Sequence, residues 1–271
     1  MAITKLIEDI ISYDYTENND RQIIQTLTQK DKGVLMGLFL AKFNQEALDS
    51  FGFSTFKEAF NVLGYAVKIP PSSIKNYRDE FDRFFPNPRK GWNRPFREIY
   101  RGILNQFGNI GFDDFYKLIN SFVLDEYIDI KDIREKRTQT KERKFLANRL
   151  LTGKAAEEYF VINYPAISPF QNYLLTDTTN MGCGFDYKLS LGLDNYYIEV
   201  KGINERHGNI LMTEKEYNIA EDLLEKYCLF IVSNFHEKPF HQLFFDPIHC
   251  DKLFFQKQER QIVQITYSTN I

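Results

Sequence analysis

The sequence predicts a mixed α/β (α+β) protein, with an all-helical N-terminal region and a C-terminal region in which helices flank a mixed sheet. Through about residue 130, apolar side chains recur at three- and four-residue spacings and strand signals are sparse. From Phe185 to Val200 the pattern changes to alternating residues around Leu193-Asp194-Asn195, which describes an antiparallel hairpin. Beyond it, Thr213 and Glu216 have the spacing of a capping box ahead of a helix at 214–226, and the apolar run Cys228 to Val232 reads as a strand covered on both faces.

In the N-terminal region helices are predicted over 4–12, 20–28, 32–43, 46–51, 55–63, 73–84, 94–107 and 113–122. Residues 55–85 have the form of a helix-turn-helix. Phe56, Ala59, Phe60 and Leu63 share one face of a first helix, Ile69-Pro70-Pro71-Ser72 breaks it, and Ser73 caps a second helix bearing Lys75, Asn76, Arg78 and Arg83. Asn suits a paired contact with adenine and Arg one with guanine, while Lys and Arg also meet phosphates. The following loop adds Arg89, Lys90, Trp92 and Arg94, so Lys75, Asn76, Arg78, Arg83, Arg89, Lys90 and Arg94 are the candidate DNA-binding residues. A basic stretch from Arg134 to Arg149 then suggests a boundary, dividing the chain into a helical domain at 1–130, a basic linker or helix at 131–149 and a second domain at 150–271.

Composition sets limits without choosing a function. At 271 residues and 43% hydrophobic content the chain can bury substantial cores, and its net charge of −3 neither requires nor excludes a nucleic-acid partner, which needs only a basic face. Three cysteines without paired spacing indicate neither a disulfide framework nor a zinc site, and His236, His241 and His249 lie outside the usual zinc spacings. The N-terminus has no signal-peptide pattern, and the most apolar window, Gly33 to Leu40, is too short to cross a bilayer. A cytoplasmic protein with no membrane partner is expected.

The hairpin carries the chemistry. With its turn near Leu193, Asp186 and Glu199 fall opposite or nearly opposite each other, which puts their Cβ atoms about 5 Å apart. Period two turns Glu199 and Lys201 to the same face. Two carboxylates so placed can share a divalent ion such as Mg²⁺, which prefers one or two protein carboxylates with retained waters and phosphate oxygens. A neighbouring lysine can orient or activate a water and offset charge on a phosphoryl transition state.

These residues resemble the PD-(D/E)XK nuclease superfamily, whose core has an acid on a first strand and (D/E)-x-K on the next, here Asp186, Glu199 and Lys201. The resemblance spans roughly 150–247, including a helix around Gly153 to Phe160, the helix after Leu211 and the strand after Tyr227. Phe185 stands where the family often has proline. The resemblance implies metal ligation by Asp186, Glu199 and the Val200 carbonyl, and a further acid from the opening helix, Glu157 in preference to Glu158. It implies a type II restriction endonuclease: Mg²⁺-dependent double-strand cleavage of a short specific DNA sequence to 5′-phosphate and 3′-hydroxyl ends. The implied partners are double-stranded DNA, a second copy of the chain as a homodimer, and a cognate DNA methyltransferase as the other half of a restriction-modification system. The alternatives are a modification-dependent or structure-specific defence or repair nuclease, or an inactive DNA-binding protein.

Overall fold

A computed structural model describes residues 27–89, 95–124 and 140–259. The predicted helix at 4–12, nearly all of that at 20–28, Lys90, Trp92 and Arg94, and the basic stretch up to residue 139 lie outside the described residues.

The helical half is built on α1 (Gln29–Phe51), opened by a capping box between Thr28 and Asp31 and closed by Gly52 in a left-handed conformation. The helices predicted at 32–43 and 46–51 are its two arms, which meet at the non-helical backbone of Asn44 (φ 47, ψ −116), whose amide side chain donates to the carbonyls of Ala41 and Pro86. Residues 33–41 are almost wholly buried because α1 is surrounded. Around it lie α2 (Phe56–Ala66), α3 (Pro71–Phe81), the short α4 (Arg101–Phe107) and α5 (Phe112–Leu124). Phe39 packs α1 onto α5, with ring centroids 5.2 Å from Phe43 of its own helix and 5.4 and 5.8 Å from Phe115 and Phe112. Such pairs add about 0.5–1.5 kcal/mol each to the burial of apolar area.

The second half begins with the long α6 (Thr140–Asn163), followed by β1 (Leu174–Asp177), β2 (Tyr187–Leu191), β3 (Asp194–Gly202), α7 (Glu214–Leu223), β4 (Tyr227–Ser233) and β5 (Phe240–Phe245). The five strands form one mixed sheet in sequence order, antiparallel except for the parallel β3–β4 pair. Position 150, where the second domain was expected to begin, falls inside α6, and one hydrophobic cluster runs from Val34 in α1 to Phe235 beyond β4.

Alternation sorts β3 and β4 between two faces. Ile198, Val200, Cys228, Phe230 and Val232 belong to the cluster that also holds Phe160 and Ala156 of α6, and Phe160 packs edge-on to Phe230 at 4.9 Å. Gly202 is where the helix comes closest: a Cβ there would lie 2.6 Å from the Thr152 carbonyl oxygen and 3.0 Å from Ala156 Cβ. Glu199 and Lys201 consequently point to the opposite face, toward α7. No helix among the described residues is long and apolar enough to cross a membrane.

Candidate active site

The predicted hairpin is present with a tight turn at Gly192-Leu193, and its register pairs Tyr187 with Ile198. Asp186 precedes β2 and steps out of that register by one residue: its N–H donates at 2.8 Å to the carbonyl of Ile198, the residue paired with Tyr187. Its carboxylate then turns back, and Oδ2 accepts the Val200 N–H at 2.8 Å.

The loop before Asp186 is held from both sides. Thr178 donates its N–H to the Asp186 carbonyl at 2.9 Å and directs its hydroxyl at the Phe185 and Asp186 carbonyls. Gly184 sits at φ +86, where a side chain would be strained, and its carbonyl accepts from the buried Tyr227 hydroxyl at 3.0 Å. A loop otherwise free to move is thereby fixed to β4.

Glu199 is only 4% exposed. Lys201 Nζ donates to Glu199 Oε1 at 2.5 Å and to Glu216 Oε2 at 2.9 Å. Glu216 is also the N3 residue of the α7 capping box, its Oε2 accepting the Thr213 N–H at 2.9 Å. Sequence reasoning assigned Glu216 to the cap alone. The signal for its second role was the fold order itself, since a helix that returns to the β3–β4 face after (D/E)-x-K brings its first turn to the lysine.

Electrostatics follow from this crowding. Burial pushes the Asp186 carboxyl above its ordinary range, against the pull of the Val200 N–H and Lys201. Burial and then the Asp186 charge push Glu199 up as well, despite Lys201. Burial also works against the Lys201 ammonium, but Glu199 and Glu216 more than offset it and hold Lys201 above the usual lysine value.

The two glutamates of α6 separate. Glu158 turns to Lys68, with its Oε1 2.9 Å from the ammonium. Glu157 is near enough to feel the charge of Asp186: burial first, and that charge second, raise its carboxyl to about 8. Asp177 on β1 adds to the negative field felt by both Glu157 and Asp186.

Among the described residues no three or more His, Cys, Asp and Glu side chains converge as a closed metal cage. A hard divalent ion does not require one. Mg²⁺ takes one or two carboxylates and keeps waters, and Asp186 and Glu199 supply that number of oxygen donors on one hairpin. The Val200 N–H points to Asp186, and the carbonyl of an extended residue leaves the strand on the same side as its N–H. The donor set fits a magnesium-like cation, and the raised proton affinities mark the negative charge that such a cation would offset.

The other candidate residues are dispersed. Arg78 is 6% exposed, pairs with Asp79 and Asp82, and lies over the rings of Phe56 and Phe60 at 4.8 and 5.0 Å. Arg89 forks onto Asp82 with contacts of 2.5 and 2.7 Å. Both arginines face into the protein, where they hold α3 and the following turn to α2. Lys75 and Asn76 are on the exposed face of α3, Lys75 in an exposed pair with Asp79, and Arg83 is exposed just beyond the helix. His241 stacks on Phe230, His236 lies between Glu58 and Glu205, and His249 pairs with Asp246, so the three histidines form no common site.

No curated protein and no solved structure matches the chain. Residues 156–245 match the family model described as Protein NO VEIN, C-terminal, and that stretch runs from α6 to the last residue of β5, contains Glu157, Asp186, Glu199, Lys201 and Glu216, and leaves the helical half outside the similarity.

Proposed function

We propose that the protein is a Mg²⁺-dependent DNA endonuclease of the type II restriction class, acting through Asp186, Glu199 and Lys201. The observation that supports this most is the gathering of the three groups at one point of β3, where Asp186 accepts the N–H of Val200 between Glu199 and Lys201 and Lys201 donates to Glu199. The resemblance of these residues to the PD-(D/E)XK pattern points the same way.

When bound, the cation supplies charge for the scissile phosphate and acidifies a bound water. Asp186 and Glu199 would hold it, with the Val200 carbonyl as a further donor and Glu157 as an outlying acid. Lys201 is kept as an ammonium by two carboxylates, so it orients the attacking water and offsets charge on the phosphate oxygens; it does not take the water's proton. The water oxygen bonds to phosphorus and its proton passes to solvent, while the P–O3′ bond breaks and O3′ takes a proton from a solvent water, leaving 5′-phosphate and 3′-hydroxyl ends. Cutting both strands takes two such sites, which a two-fold homodimer on duplex DNA would provide. A cognate methyltransferase would protect the same sequence.

One observation favours a second reading. Arg78 and Arg89 are engaged within the protein, which leaves fewer side chains of the helix-turn-helix to read bases. This fits a modification-dependent or structure-specific nuclease better than a reader of plain duplex sequence. Unmethylated phage DNA incubated with the protein and Mg²⁺, then run on a gel beside a chelator control and Asp186→Ala, separates the two. Discrete bands lost in both controls support a site-specific enzyme. A smear lost in both supports the second reading, and intact DNA on every substrate, including methylated and branched DNA, contradicts both.

A further inference from the structure

We propose that Glu216 is a positioning residue, which holds the Lys201 ammonium in place when Glu199 turns its oxygens to a cation. The inference rests on the nuclease reading for the identity of the cation, and on the geometry of α7 for everything else.

A capping box accepts either Glu or Gln at N3, because its backbone bond needs only an oxygen acceptor. Glu216 Oε2 makes that bond to Thr213 and, with the same atom, accepts from Lys201 Nζ at 2.9 Å. The negative charge is what the cap does not need and the lysine uses. A lysine side chain is a point charge on a flexible stem, and one carboxylate fixes it poorly. Lys201 has two, one on its own strand and one on α7, and its third donor remains to meet reacting atoms. Glu199 is the less dependable anchor, because it is also a metal ligand. Without Glu216, the ammonium and the cation would compete for a single carboxylate.

The helix start is built to keep Glu216 there. Thr213 accepts the Glu216 N–H through its hydroxyl at 3.2 Å, and the Glu216 side chain is 16% exposed beside a Lys201 side chain 19% exposed. Gly184, which begins the approach to Asp186, packs against Lys215 and Ile219 of the same helix. The first turn of α7 therefore touches both arms of the site.

The test uses the full chain with Mn²⁺ alone as probe, its affinity measured by calorimetry, together with thermal unfolding and DNA cleavage. Glu216→Gln keeps the cap and removes the charge. It should melt close to wild type while Mn²⁺ affinity and kcat each fall roughly 10- to 100-fold, as for other groups that orient metal-site residues, with KM for DNA little changed. Thr213→Ala keeps the charge and removes the cap hydroxyl; it should melt lower and retain Mn²⁺ affinity. In a Lys201→Ala background, Glu216→Gln should change Mn²⁺ affinity no further. Two results overturn the proposal: wild-type Mn²⁺ affinity in Glu216→Gln, or an equal loss with and without Lys201, which would make Glu216 a direct influence on the cation. Absence of cleavage by wild-type protein would contradict the nuclease reading while the Mn²⁺ cycle still decides the role of Glu216.

Discussion

Asp186 Oδ2 accepts the amide hydrogen of Val200 at 2.8 Å, so the acid that precedes β2 is fastened to the residue between Glu199 and Lys201. Asp186 is thereby tied to the Glu199–Lys201 segment through backbone, independently of the ion pair between Lys201 and Glu199. Removing a charge should therefore change chemistry before it changes the fold.

Asp186→Asn provides a direct check. Its amide oxygen can still accept from Val200, and the burial that penalises the charged form no longer applies, so stability should stay within about 1 kcal/mol of wild type or rise. Divalent-ion binding and cleavage should be lost. Chemical unfolding beside calorimetric Mn²⁺ titration measures both.

Glu157 sets a pH dependence. Its carboxyl is raised from 4.5 to about 8, so between those values the metal-free fold binds a proton that the unfolded chain has released. Metal-free stability should fall as pH rises through that window, Glu157 contributing up to about 1.4 kcal/mol per pH unit beside the contributions of Asp186 and Glu199, whose carboxyls are raised as well. Added Mg²⁺ favours the ionised acids, so its stabilising effect should grow as pH rises. Melting curves from pH 5 to 8 with chelator and with Mg²⁺ test this, and Glu157→Gln should make the metal-free slope shallower by up to about one proton.

Gly202→Ala should destabilise the protein by about 1–3 kcal/mol, because the added methyl meets the Thr152 carbonyl at 2.6 Å and helix backbone yields less readily than a side chain. It should also lower activity, since Gly202 adjoins Lys201. Denaturant midpoints and cleavage rates report the two effects.

The helix-turn-helix arginines should behave as structural residues. Arg78→Ala removes one partner each from Asp79 and Asp82, which keep Lys75 and Arg89, and empties the space over Phe56 and Phe60, so it should cost about 1–3 kcal/mol. Lys75→Ala and Asn76→Ala change the exposed face of α3 and should stay within about 0.5 kcal/mol in stability. If that face meets DNA, their affinity for it falls and its salt dependence weakens.

The sheet half was legible where spacing alone determines geometry. Turn chemistry at residues 192–195 and period two along β3 suffice to bring Asp186 near Glu199 and to align Lys201, and the Thr213 capping box marks where α7 starts. The strands β1 and β5 were not anticipated. Leu174-Leu175-Thr176-Asp177 is too short to show a period and becomes a strand only by pairing with β2, and β5 likewise depends on β4. Arg78 was misjudged as a surface group because charge was weighed without its neighbours. Asp79 and Asp82 beside it, and Phe56 and Phe60 on the preceding helix, are the side chains that bury it. The kink at Asn44 falls in the gap left between the helices predicted at 32–43 and 46–51.

Lys201→Ala tests the central claim most directly, with duplex cleavage in Mg²⁺ and equilibrium DNA binding in Ca²⁺ measured on the same preparation. The account predicts cleavage reduced by at least roughly 100-fold with DNA affinity changed less than about threefold, because one lysine is lost from the reacting centre and one charge from the interface. Cleavage near the wild-type rate would contradict it and remove the active site from this hairpin.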